Sequence, residues 1–159
     1  MPGQRDAAAV RIFPPIIPVA TILAGVALNR VLPILLGIEI PSPARYWVGG
    51  CIVVGAILVL GVWPIVLFRR SGQSEKPWTP TTQILKYGPY RYTRNPLYLQ
   101  MLVVCVEFAV ILANWWILAL TPVAGWLLLR LAILPEEVYL ERKFGDAYLA
   151  YQRRVRRWL

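Results

Sequence analysis

The residues best placed to do chemistry lie in one stretch, Gly88–Tyr98, where a loop rich in Gly, Pro, Tyr and Arg runs directly into an apolar helix. Its prolines fix their own φ angles and hold the preceding residues outside the helical region, which gives the loop a defined shape. Asn95 and Pro96 fit the flanking and first positions of the helix. With Arg91 and Arg94 beside the free N–H groups of that helix start, the stretch predicts an anion site. The alternative is a membrane-entry cap whose tyrosines and arginines contact lipid headgroups.

A pair of carboxylates, Glu136 and Glu137, follows Pro135 at the end of the last apolar run. One interpretation is an acidic first turn of a tail helix with Pro135 at its first position. The other is that the pair meets the Gly88–Tyr98 loop at the same membrane edge, where its carboxylates would bind an ammonium or a ribose. Such a pocket suits a zwitterion joined to an aromatic group, with Arg on the carboxylate and Tyr or Trp against the ring.

The composition predicts an integral membrane protein. Of the 159 residues, 58% are apolar, which exceeds the roughly 45–50% of soluble domains. The net charge of +9 comes from cations that flank apolar runs. Anionic headgroups and topology control explain these cations better than nucleic acid does, so we expect membrane lipids and no nucleic acid as partners. Histidine is absent and both cysteines lie within apolar runs, so no metal site is expected.

Hydropathy divides the chain into one membrane domain, residues 1–159, with four transmembrane helices. The predicted spans are residues 12–38, 47–68, 97–113 and 115–134. Asn114 alone separates the last two spans, which must therefore form an antiparallel hairpin. The loop 69–95 is too long to be an idle linker in so small a protein. The expected fold class is an all-α integral membrane protein with a cytoplasmic connecting loop and a C-terminal amphipathic helix.

Charge predicts the orientation. The N-terminus, the 69–95 loop and the tail share one side in a four-span topology, and they hold 14 of the 17 Lys and Arg residues. By the positive-inside rule this side, with both termini and the site, is cytoplasmic. In the tail 136–159, an apolar stripe from Leu140 to Trp158 opposes a basic face that includes Arg154 and Arg157, so we expect an interfacial helix, with Gly145 as a possible bend.

The ordered combination of these motifs resembles the isoprenylcysteine carboxyl methyltransferase and phospholipid N-methyltransferase superfamily, in its bacterial form. The resemblance covers about residues 72–159 and rests on Gly88–Tyr98, Glu136-Glu137, Glu141–Gly145 and Tyr148-x-x-Tyr151-x-x-Arg154-Val155. It implies an integral membrane enzyme that binds S-adenosylmethionine on the cytoplasmic side and methylates lipid-like substrates.

Residue by residue, the resemblance implies a cofactor pocket and a smaller catalytic set. The implied cofactor-binding residues are Gly88, Pro89, Tyr90, Arg91, Arg94, Asn95, Tyr98, Glu136 and Glu137. The implied catalytic residues are Arg94, Glu137 and Arg154. Two positions depart from the family pattern: Asn95 replaces a histidine, and Val155-Arg156 replaces Val-Pro, which favours a tail that continues as helix.

Methyl transfer from a sulfonium is a direct displacement that needs alignment and exclusion of water but no metal. Without histidine, carboxylates and tyrosines are the only evident bases, so a carboxylate or thiolate acceptor is favoured over an amine. Glu107 and Arg130 lie within predicted spans, where a charge must face protein or water. Two alternatives remain: a small four-helix multidrug-type transporter that uses Glu107, and a membrane reductase that binds a nicotinamide cofactor.

Overall fold

The computed structural model describes residues 7–10, 12–33, 42–76 and 78–159, without the side chain of Ser42. Within these ranges the chain forms five continuous helices and one short 3-10 turn, and it has no strand. The prediction of an all-helical protein is therefore confirmed for the described residues. The expected end of the first span at residue 38 lies outside them.

The helices are numbered in chain order. Their bounds are Ile16–Val31 for α1; Ser42–Ala56, a π-helical turn Ile57–Val62 and Trp63–Arg70 for α2; Pro96–Ile111 for α3; Trp115–Leu128, a π-helical turn Leu129–Ile133 and Leu134–Phe144 for α4; and Asp146–Arg154 for α5. A short 3-10 turn, Gly88–Arg91, lies in the loop before α3.

Each long helix contains a π-helical turn immediately before a proline. In α2 the turn Ile57–Val62 precedes Pro64, and in α4 the turn Leu129–Ile133 precedes Pro135. Proline lacks an N–H and its ring crowds the carbonyl four residues earlier, and a wider turn relieves that crowding. The sequence predicted that α4 ends at residue 134 with a separate tail helix after it. This was wrong, because the π-helical turn carries α4 past Pro135 to Phe144.

The predicted α3–α4 hairpin is confirmed. Ala113 adopts a positive φ of 47°, and the Asn114 side chain accepts hydrogen bonds from the Trp116 and Ile117 amides at 3.0 and 3.2 Å, which caps α4. The same side chain donates to the Gly25 carbonyl at 3.1 Å, so the turn also holds α1. A Cβ at Gly25 would overlap Ile117, which shows how closely α1 and α4 approach.

Two helices are long and apolar enough to cross a membrane, within Pro43–Arg70 of α2 and Trp115–Phe144 of α4. The apolar helices α1 and α3 have 16 residues each, about 24 Å, which is shorter than the roughly 30 Å hydrocarbon layer. Many large apolar side chains of α2 are exposed, among them Trp47, Leu58 and Val62. Such a surface is compatible with lipid contact. The four spans and their orientation stay predictions.

The tail differs from the amphipathic helix that we expected to lie on the membrane surface. Gly145 adopts a φ of 51° and separates α4 from α5, so the bend is confirmed. The apolar stripe packs on protein, where Tyr148, Tyr151 and Val155 form a buried cluster with Ile84. Helix α5 ends at Arg154 and Val155 is extended, with φ of −124° and ψ of 128°, so the expected continuation as helix was wrong.

Candidate functional site

A cavity of about 570 Å³ lies among the 71–95 loop, α2, α3, α4 and α5. Its volume falls within the range of about 300–1,000 Å³ that is typical of small-molecule sites. We call one set of lining residues the polar wall: Tyr90, Arg94, Asn95, Tyr98, Glu136, Tyr148 and Tyr151. We call another set, from α2 and the start of α3, the apolar wall: Ile57, Gly61, Val62, Ile65, Leu97, Gln100 and Met101.

The loop that begins the polar wall is shaped by a glycine and anchored by a tyrosine. Gly88 has a φ of 58°, and a Cβ there would lie within 3 Å of Trp63 and Leu67, so the loop lies close against α2. The Tyr151 hydroxyl donates to the Tyr90 carbonyl at 2.7 Å. These contacts fix the 3-10 turn between α2 and α5.

Glu136 is held at the cavity by a tyrosine. The Tyr98 hydroxyl donates to Glu136 Oε2 at 2.9 Å, and both residues line the cavity. Because Tyr98 lies on the first turn of α3 and Glu136 follows the π-helical turn of α4, the contact joins the two motifs. The carboxylate keeps a second oxygen for a ligand, which makes it suited to a cationic group.

Glu137 lies between two arginines. Arg94 Nη1 is 3.1 Å from Glu137 Oε1, and the Glu137 side chain is only 8% exposed. Arg157 donates from Nε to Oε1 at 3.0 Å and from Nη2 to Oε2 at 2.8 Å, which is a bidentate pair. The predicted proximity of the twin glutamates to the Gly88–Tyr98 loop is confirmed by this cluster and by the Tyr98–Glu136 bond.

Arg94 has donor capacity to spare. Its Nε and Nη1 atoms are buried, and neither donates a well-aligned hydrogen bond to any described residue, although Nη1 lies in ion-pair distance of Glu137. Arg94 also lines the cavity. A buried guanidinium with unused N–H groups can bind a carboxylate or a phosphate strongly, because charged hydrogen bonds are stronger where water is excluded.

Residues 155–158, which we call the C-terminal strap, follow α5 and lie beside the residues before α3, with a parallel bridge between Thr93 and Arg156. The Arg94 amide donates to the Arg156 carbonyl at 3.0 Å. The Thr93 hydroxyl and the Asn95 amide group donate to the Arg157 carbonyl at 3.1 and 2.9 Å. Asn95 precedes α3 as predicted, but its side chain serves the strap and does not cap the helix.

The buried tyrosines of the polar wall are neutral donors at physiological pH. The pKa of Tyr148 is raised to about 12, mainly by burial and also by the Glu137 charge, although the Arg94 guanidinium opposes the shift. Burial also raises the pKa of Tyr151 and of Tyr90. None of these hydroxyls is therefore prepared to act as a base near pH 7.

The structure divides the residues singled out from the sequence into three groups. Tyr90, Arg94, Asn95, Tyr98 and Glu136 line the cavity. Gly88, Pro89 and Glu137 lie behind the lining and support it. Arg91 and Arg154 are exposed and do not line the cavity. Among the described residues, no group of three or more His, Cys, Asp or Glu is placed to hold a metal ion.

Sequence reasoning missed Arg157 and Gln100. The sequence placed Arg157 on the outer basic face because the helical periodicity was extended past Arg154, where the helix ends. Gln100 lies in α3, where its Oε1 atom is buried and has no hydrogen-bond partner among the described residues. Gln100 could have been noticed in the sequence, because it is a polar residue among the apolar residues near the start of α3.

Comparison with known proteins identifies the family. A sequence model of the family described as phospholipid methyltransferase matches residues 42–147, which span α2 to the start of α5. An uncharacterized protein of Haemophilus influenzae is 40% identical over 65 residues, which cover 40% of this chain and 100% of that protein. No solved structure matches the chain.

Proposed function

The chain belongs to the phospholipid methyltransferase family, and from this premise we propose that it transfers a methyl group from S-adenosylmethionine to a lipid-like or apolar small acceptor. The family indicates a membrane methyltransferase. The observation that supports the finer proposal is the polar wall, where Arg94, whose buried Nε and Nη1 make no well-aligned hydrogen bond, and the carboxylate of Glu136 border the same cavity.

The residues present fit this cofactor. Arg94 would bind its carboxylate, and Glu136, fixed by Tyr98, would bind its ammonium or its ribose hydroxyls. Glu137 would act from behind by holding Arg94, and the neighbouring tyrosines would pack against the adenine. When bound, the cofactor supplies an electrophilic methyl group on a positively charged sulfur.

The acceptor would lie against the apolar wall. This surface joins the π-helical turn of α2 to the first turns of α3, both parts of apolar helices. Gln100 is the polar member of the wall, and Gly61 leaves the space that its side chain occupies. An apolar acceptor would thus be held in line with the polar wall, and its bulk would exclude water from the transfer.

An acceptor that attacks as a carboxylate or thiolate remains favoured over an amine in this proposal. Such a group has no proton to lose during the transfer. The tyrosines that line the cavity are held neutral by burial, so they are poor bases. We also retain cytoplasmic placement of the site and of both termini, on the charge distribution.

The family membership favours a methyltransferase over both alternatives. For the transporter, Glu107 is buried, at 1% exposure, and does not line the cavity. The role of Arg154 in catalysis stays a prediction, and its exposed position at the end of α5 gives it no contact with the cavity.

Calorimetric titration of the detergent-purified protein with S-adenosylhomocysteine tests the proposal. We expect saturable binding in the micromolar range, weakened about tenfold by Glu136→Gln because a charged contact is lost. Glu141→Gln is the matched control, since Glu141 is exposed on the same helix and contacts Gln152 outside the cavity. Absence of binding in the unaltered protein contradicts the proposal.

A second measurement identifies the acceptor. Membranes that contain the protein are incubated with methyl-labelled S-adenosylmethionine, and the labelled lipid fraction is isolated. Label in a lipid product supports the methyltransferase. Saturable binding of a reduced nicotinamide cofactor would favour the reductase instead, and cation efflux that depends on Glu107 would favour the transporter.

A further inference from the structure

The C-terminal strap brings the charged side chain of Arg157 to the site. If α5 had continued as a helix, this side chain would point elsewhere. Since α5 ends at Arg154 and Val155 is extended, the chain turns back along Thr93–Asn95. Arg157 is fixed there through its own carbonyl, which accepts from Thr93 and Asn95. Trp158 packs against the apolar cluster that contains Tyr98, which anchors the strap beyond Arg157.

The cluster of Arg94, Glu137 and Arg157 contains more positive than negative charge. One buried carboxylate, Glu137, is shared by two guanidinium groups, those of Arg94 and Arg157. The cluster therefore carries one net positive charge. Arg157 takes both carboxylate oxygens in its fork, whereas Arg94 approaches only Oε1 and without good hydrogen-bond alignment.

This division of contacts explains why Arg94 keeps unpaired donors. A carboxylate that had only Arg94 as a partner would bind it through both oxygens, in the fork-to-fork geometry that arginine and carboxylate groups prefer. That pair would be neutral, and it would occupy two of the five N–H groups of the Arg94 guanidinium. With Arg157 occupying the fork, the N–H groups of Arg94 remain directed to other acceptors.

We propose that Arg157 is a positioning residue of the cofactor site, which by binding Glu137 keeps Arg94 available for the carboxylate of the cofactor. This inference rests on the proposed function. In this inference, Arg157 is the arginine that the tail contributes to the site. It acts through Glu137 and does not touch the ligand.

The test compares two ligands on two variants by calorimetry. Arg157→Met should weaken S-adenosylhomocysteine binding about tenfold, since one charged contact to its carboxylate is lost. The same variant should bind methylthioadenosine, which lacks the whole amino acid end, within about twofold of the unaltered protein. Arg153→Met is the control, because Arg153 is exposed on α5 and should leave both affinities unchanged. A purely structural role for Arg157 would instead weaken both ligands alike, and that result would overturn the proposal.

A double variant tests the charge balance directly. Arg157→Met combined with Glu137→Gln restores one net positive charge and removes the carboxylate that would capture Arg94. We expect it to bind S-adenosylhomocysteine more tightly than Arg157→Met alone. Equal or weaker binding by the double variant contradicts the proposal.

If Arg157→Met does not fold, as judged by its thermal transition, Arg157→Lys takes its place. That variant retains the charge but loses the fork, and it should give a smaller loss confined to S-adenosylhomocysteine.

The two failures are distinguishable. If the unaltered protein binds neither ligand, the proposed function is wrong and the role of Arg157 falls with it. If the unaltered protein binds S-adenosylhomocysteine but Arg157→Met matches Arg153→Met, only the role of Arg157 is wrong.

Discussion

The two walls of the cavity differ in how their polar groups are held. On the polar wall, Tyr98 is bonded to Glu136, Asn95 to the strap and Tyr151 to the Gly88–Tyr98 loop, which we call the motif loop. Arg94 is the member of this wall that keeps spare donors. On the apolar wall, the Gln100 amide oxygen is buried and has no partner among the described residues. The polar wall is thus organised before any ligand binds, as a site for one defined molecule requires. In our proposal, the apolar wall selects its occupant mainly by shape and apolar contact.

The same contrast separates the two glutamates at the end of α4. Glu136 borders the cavity with one oxygen bonded to Tyr98, whereas Glu137 lies behind it with both oxygens engaged by arginines. Adjacent residues of one helix therefore have different surroundings, since Glu136 faces the cavity and Glu137 pairs with two arginines behind its lining. The π-helical turn before Pro135 sets the register that places them so.

The largest expected effect comes from removing the cation of the polar wall. Arg94→Leu should weaken S-adenosylhomocysteine binding by about 100-fold, because it removes a buried charged contact worth up to about 3 kcal/mol. Arg70→Leu, at the exposed end of α2, is the control. Calorimetry measures both. An Arg94→Leu protein that folds and binds normally would show that the polar wall does not hold the carboxylate.

A smaller effect, on a different step, is expected from filling the apolar wall. A side chain at Gly61 would collide with Gln100, so Gly61→Leu should reduce transfer of labelled methyl groups to membrane lipid more than tenfold. The affinity for S-adenosylhomocysteine should stay within about twofold. Gly55→Leu is the matched control, since a Cβ at Gly55 of the same helix meets nothing within 4 Å. Loss of cofactor binding in Gly61→Leu would mean that the two walls do not serve separate molecules.

The smallest effect is expected from loosening one member of the polar wall. Tyr98→Phe removes the hydroxyl that donates to Glu136 and leaves that carboxylate short of a partner, which costs about 1–3 kcal/mol of folding free energy. Thermal unfolding in detergent should show a lower transition temperature, with an affinity for S-adenosylhomocysteine reduced about threefold. Tyr87→Phe, at an exposed tyrosine of the loop, should change neither quantity. Equal transition temperatures for the two variants would contradict the assigned role of the Tyr98–Glu136 bond.

The sequence was sufficient for much of the architecture. Composition predicted a helical protein and Asn114 predicted the α3–α4 hairpin. The topology of that hairpin predicted that the Gly88–Tyr98 loop meets the twin glutamates, because both lie at the same end of it. These features follow from local rules, since a single polar residue between two apolar helices leaves no room for another path. Gly145 likewise marked the bend because a positive φ suits glycine.

The features that the sequence did not predict depend on contacts between distant parts of the chain. Pro135 reads as a helix start, and only the packing around α4 decides that a π-helical turn absorbs it. The inward direction of Arg157 depends on hydrogen bonds to Thr93 and Asn95, which lie more than 60 residues earlier. A helical periodicity extended through the strap placed Arg157 on the outer face, because no local signal ends α5 at Arg154.

Photolabelling with an azido-adenine analogue of S-adenosylmethionine tests the central claim, that one cavity between the motif loop and the end of α4 receives the cofactor. The labelled protein is digested and the modified peptides are mapped. We predict that label falls within residues 71–98 or 136–158 and disappears when excess S-adenosylhomocysteine is present. Competable label on α1 or on the first half of α2, with none in those two ranges, would contradict the account.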